Sequence, residues 1–122
     1  PIAESTISGI TNNTTIKGIA PEVSVALVDL YPDSWTYAQV YRGEPVLGTE
    51  GDIVPGSSIL IDGTIPRDET VVLADWDSVI KEDGTYTLEI ITVTPFGADR
   101  LSYRTFEVAR TIHLNGAVTS VE

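Results

Sequence analysis

The stretch Glu82-Asp83-Gly84-Thr85-Tyr86-Thr87-Leu88-Glu89-Ile90 decides the fold. Two acids and a glycine form a corner, and the residues after it alternate between apolar and polar. Side chains on a strand point to opposite faces with period two. Tyr86, Leu88 and Ile90 are therefore predicted to share a buried face, and Thr85, Thr87 and Glu89 the outward one. A strand with one covered face and one wet face belongs in an antiparallel sheet.

Working outward, similar segments recur every eight to twelve residues between turn residues, the spacing of a sandwich or barrel. Val23 to Val28, Thr36 to Tyr41, Ser58 to Ile61, Thr70 to Trp76, Tyr86 to Thr94 and Leu101 to Ala109 read as strands. Gly48 to Ser57 reads as an exposed loop, and Asp77 to Lys81 as one helical turn capped by Asp77 or Ser78. Thr11-Asn12-Asn13-Thr14 lies between two isoleucine-bearing segments and suggests a short hairpin or a turn between two edge segments. Asn115-Gly116, between Thr111-Ile112-His113-Leu114 and Ala117-Val118-Thr119, is a strong type I′ hairpin signal. No run of ten residues carries a helical period, so the fold is all-β.

The order of these pieces resembles the immunoglobulin-like modules of bacteria and phages, relatives of fibronectin type III in shape. Thr15-Ile16-Lys17-Gly18 through Leu27 is similar to their first two strands, and Val40-Tyr41-Arg42-Gly43-Glu44-Pro45-Val46 to their third strand and the turn after it. Asp83-Gly84-Thr85-Tyr86-Thr87-Leu88 with Phe106-Glu107-Val108 is similar to their closing hairpin. The likeness spans residues 15 to 109. Leu88 stands where antibody-type domains carry their second cysteine, and Val40 where they carry the core tryptophan. The resemblance implies an immunoglobulin-like antiparallel β-sandwich of about seven to nine strands, with the Tyr86 hydroxyl returning to the backbone at the corner. Outside the likeness lie additional terminal strand segments: residues 1–14, expected as an arm or edge hairpin, and 110–122, expected as a hairpin extending the same domain.

A chain of 122 residues is one domain with enough length for a core. It has no cysteine, which favours a reducing compartment or a core that needs no staple. Eighteen acidic residues against 7 basic ones leave a formal charge of −11, and no cluster of Lys and Arg is present to bind phosphate. Nucleic acid and anionic membrane are poor partners. No apolar run approaches the ~18 residues of a membrane-spanning helix. Pro1-Ile2-Ala3-Glu4 shows no signal-peptide pattern; a whole gene product starting so is expected to be made and kept in the cytosol, whereas for an excised domain the start means nothing.

Chemistry finds little purchase. His113 is the single histidine, and without cysteine there is no Cys-His pair and no zinc-type ligand set. Asp75 with Asp77, and Glu82 with Asp83, are carboxylate pairs in sequence, but acids in turns are ordinarily solvated. Calcium takes six to eight oxygens. Asp75, Asp77 and Asp83 are its weak candidates, with Asp29 and Asp33 as a second group. No metal or cofactor is expected. Trp35, Tyr37 and Tyr41 alternate along one strand, with Trp76 and Tyr103 elsewhere. Such a row is expected to be sheet core, with a sugar-stacking or interaction surface as the alternative. Asn12 and Asn13 begin glycosylation sequons, which matter only on a secretory route.

The function expected is structural and non-enzymatic: a virion accessory subunit decorating a capsid or tail, assembled in the host cytoplasm. Its partners would be capsid or tail proteins, or further copies of itself. The alternative is a spacer, adhesion or carbohydrate-binding module of a bacterial surface or secreted protein. Docking is expected through the ends, with Ile7, Ile10, Ile112, Leu114 and Val118 as contact residues. On that expectation residues 1–12 or 111–122 are dispensable to the sandwich.

Overall fold

The computed structural model describes residues 2–43, 52–62, 68–114 and 117–120, with strand pairing alone at 52, 62 and in the segments after Arg110. The chain is a β-sandwich. One sheet has three strands, β1 (Glu4–Ser8), β3 (Ser24–Val28) and β7 (Glu69–Val72), in the order β1-β3-β7. The other has six. Its order is β2 (Thr15–Ile16), β9 (Gly97–Val108), β8 (Gly84–Thr94) and β4 (Trp35–Arg42), and the far edge of β4 pairs with both β5 (Asp52–Ile53) and β6 (Ile59–Asp62). Every pairing is antiparallel except β2 with β9.

Tyr86, Leu88 and Ile90 are buried as their alternation predicts. Thr87 and Glu89 are buried too, which corrects the expectation that they face water. The physical reason is the position of β8, which is flanked along its length by β4 and β9, so that large neighbours close over its outer side. Both polar side chains are satisfied: the Thr87 hydroxyl donates to the Gly43 carbonyl at 2.7 Å, and Glu89 accepts from Tyr41 and Arg100. At the corner, the Tyr86 hydroxyl donates to the Glu82 carbonyl at 2.7 Å.

Between the sheets, the Phe106 ring meets Trp76 edge-on at 5.6 Å and stacks with Tyr86 at 6.1 Å. The Trp76 indole N–H donates to the Pro21 carbonyl at 3.1 Å, so its polar edge is satisfied while its rings fill the core. Trp76 belongs to a short 3-10 helix, Trp76–Val79, rather than to a strand. Its cap is Asp75, in the left-handed conformation and without a side-chain bond, not the expected Asp77 or Ser78.

Of the two readings of the N-terminal segment, the turn between two edge segments is the one found. β1 pairs with β3 at the edge of one sheet and β2 with β9 at the edge of the other, so the chain changes sheet here and does not form a hairpin. The turn itself exists, with the Thr14 N–H donating to the Thr11 carbonyl at 3.2 Å. Ile7 and Ile10, expected as docking residues, are 3% and 1% exposed in the shared core. β1 and the two isoleucines are therefore part of the sandwich and its core. Gly9 makes the crossing possible: its φ is +106°, and a Cβ there would lie 2.1 Å from the Glu22 carbonyl oxygen.

After Arg110, β10 (Thr111–Leu114) and β11 (Ala117–Ser120) pair as a two-stranded sheet of their own, with Leu114 opposite Ala117. Asn115-Gly116 and the side chains of Ile112, His113, Leu114 and Val118 lie outside the described residues. Arg110 itself is anchored: its guanidinium donates to the carbonyls of Gly18 and Ile80, and its N–H to the Asp83 carboxylate.

Candidate functional site

On β4 the core takes Ala38 and Val40, with Thr36 buried beside them, so alternation places Trp35, Tyr37, Gln39 and Tyr41 on the outer face of the six-stranded sheet. This corrects the expectation that the aromatic row fills the core. The row divides along its length. Tyr41 is 3% exposed, Tyr37 half-buried and Trp35 40% exposed.

The buried end of the row is a polar network across three strands and the residue before β6. Register sets Gln39 of β4 beside Glu89 of β8, and Glu89 beside Tyr103 of β9. The Glu89 carboxylate accepts from the Arg100 guanidinium at 2.6 Å through one oxygen and from the Tyr41 hydroxyl at 3.2 Å through the other. That hydroxyl is shared with the Gln39 side-chain oxygen at 3.0 Å, while the Gln39 amide donates to Ser58. Arg100 also lies over the Tyr103 ring, 4.7 Å from its centroid. Arg100 reaches this face because β8 and β9 shift register at Ile90/Ile91, which pairs it with Ile91. Both carboxylate oxygens of Glu89 are thus engaged, one by Arg100 and the other by Tyr41.

The other end of the row is apolar. Trp35 pairs with Val93, and Tyr37 pairs with Ile91 on one side and Leu60 on the other. Leu60 is 53% exposed, and Val93 is exposed as well. Five large side chains from three adjacent strands thus form one strip on a sheet surface.

Along β9 the same face carries a groove of about 290 Å³ lined by Asn12, Tyr103, Thr105, Phe106 and Glu107. The turn between β1 and β2 forms its wall. The Asn12 side-chain oxygen accepts from the Thr105 N–H at 2.9 Å, and Glu107 accepts from the Thr85 hydroxyl at 2.6 Å.

The acid candidates are held in separate places. Asp29, Asp33 and Asp75 adopt positive φ, the turn conformation that Asp tolerates best among residues with a Cβ. The Asp29 N–H is bonded by the Asp68 carboxylate, and Asp83 caps the Arg110 N–H. Among the described residues no three His, Cys, Asp or Glu side chains are grouped closely enough to hold a metal ion, so Asp75, Asp77 and Asp83 are not brought together as ligands. Ile7 and Ile10 are interior, and the side chains of Ile112, Leu114 and Val118 are not among those described.

The sequence reading passed over Glu89, Arg100, Leu60 and Glu107. One signal for the first pair was present. A hairpin turning at Pro95-Phe96 brings positions near 89 and 100 to neighbouring strands, and an acid and an arginine there invite pairing.

No protein-family model matches the chain, and no curated protein matches it.

Proposed function

We propose that this protein is a non-enzymatic structural subunit of immunoglobulin-like type that attaches to a larger protein assembly through the outer face of its six-stranded sheet. The observation that carries this reading is the apolar strip on the sheet surface, with Trp35, Leu60 and Val93 exposed and Tyr37 and Ile91 half-buried between them. The immunoglobulin-like kinship is supported by the two-sheet sandwich and by the Tyr86 corner bond. A virion accessory role, with the subunit decorating a capsid or tail, is the setting that the sequence resemblance favours.

The partner surface is basic around an apolar centre. Arg42 pairs with Glu82, Arg100 with Glu89, and Arg104 and Arg110 donate to backbone carbonyls of their own chain. Two arginines are thus paired with acids and two are bonded to the chain's own carbonyls, and the net charge of −11 makes the chain as a whole strongly acidic. Like charges oppose a second copy at low salt and favour a cationic rim on the partner.

The test is attachment. Particles purified from a producing cell should carry the wild-type chain, and Trp35→Asp with Leu60→Asp should abolish its retention while the free protein stays folded. Retention of the folded double variant at wild-type level would overturn the reading.

A further inference from the structure

We infer that the groove along β9 is a binding site for a neutral saccharide unit. The site is separate from the apolar strip and goes beyond the docking role. Its floor is the outward row Tyr103, Thr105 and Glu107, and its wall is the Asn12 turn.

Three groups are fixed in place before any ligand arrives. The Asn12 amide is oriented because its oxygen accepts from the Thr105 N–H, which leaves its NH2 as a double donor toward the groove. Glu107 has one oxygen held by Thr85, and the other remains as an acceptor. The Tyr103 ring is 39% exposed, with Arg100 against it, so one ring face is left for stacking. An amide donor, a carboxylate acceptor and a ring, all within one small concavity, match the alternating hydroxyls and C–H faces of a pyranose.

Charge selects within that chemistry. An anionic ligand meets Glu107 and the net charge of −11. A cationic ligand meets Arg100, which already occupies the cation–π position on Tyr103. A neutral ligand escapes the repulsion an anion meets, and it needs no cation–π position, which Arg100 already fills. The volume of about 290 Å³ is at the small end of ligand sites, which fits a single terminal unit of a glycan better than an extended chain.

The experiment is an NMR titration of the 15N-labelled protein with maltotriose, cellotriose and diacetylchitobiose, each at tens of millimolar, beside the charged comparators digalacturonate and chitobiose. At least one neutral probe should shift the Asn12 side-chain amide and the Thr105 backbone amide, with millimolar affinity. Tyr103→Ala and Glu107→Ala should each weaken that binding by about tenfold, the effect of losing one well-made contact. Trp35→Ala should leave it unchanged, so a failed strip and a failed groove are told apart. No shift of these amides with any neutral probe, equal or stronger binding of a charged comparator, or binding indifferent to Tyr103→Ala would each overturn the assignment.

Discussion

Glu89 and Arg100 meet at 2.6 Å on the outer sheet face, with the carboxylate side chain 7% exposed and the guanidinium 25%. A buried carboxylate that loses its cation is left desolvated and uncompensated, a larger effect than the pair's own net contribution. Arg100→Ala is therefore expected to cost ~3–5 kcal/mol, toward the lower bound because water reaches the guanidinium. Replacing both residues together by leucine should recover most of that loss. Urea unfolding of the two variants decides it, and a double variant as unstable as the single one would mean the pair is not the unit.

Leu88 sits opposite Val40 at the centre of the core, each no more than 1% exposed. Leu88→Ala should lose ~2–5 kcal/mol as a large-to-small change in a closed interior. Equilibrium denaturation with an unchanged slope would check it, and a loss below half a kcal/mol would contradict the packing described.

Gly9 occupies a conformation that residues with a Cβ rarely adopt, pressed against the Glu22 carbonyl. Gly9→Ala should cost at least the ~1–3 kcal/mol of a strained backbone, with the clash adding to it. A thermal midpoint within error of wild type would show that the crossing can be made another way.

The two ends should respond oppositely to truncation. Removing residues 111–122 leaves Arg110 and its three anchoring bonds, and the sandwich should remain folded with a near-native amide spectrum. Removing residues 1–12 takes Ile7 and Ile10 from the core and the Asn12 brace from β9, and should unfold it. A folded product of the second truncation would show that β1 is an accessory strand.

Much of this architecture is local enough to read in the chain. The corner at Gly84, the inward set Tyr86, Leu88 and Ile90, and the turn at Pro95-Phe96 follow from turn chemistry and period two. What period two leaves open is which face is covered, and by what. Along β4 the larger residues pointed outward and the smaller Ala38 and Val40 inward, because Trp76, Tyr86 and Phe106 already occupy the space between the sheets. Glu89 was misassigned for the same reason: its cover comes from Tyr41 and Arg100, on the two neighbouring strands. The change of sheet between Ile7 and Ile16 depends on contacts with Val25 and Val108, which no local pattern reveals. The groove was the least legible part, since it needs the Asn12 turn to meet Thr105 more than ninety residues later.

The parallel pairing of β2 with β9 has a mechanical consequence. Strands near opposite ends of the chain run side by side in the same direction, joined by bonds from Glu107 to Thr14 and from Ala109 to Ile16. Tension applied to the two ends would slide these strands past each other and load both bonds together, instead of opening them one after another. Stretching a single molecule would therefore meet its resistance at this short seam, in shear, before the antiparallel strands behind it begin to yield.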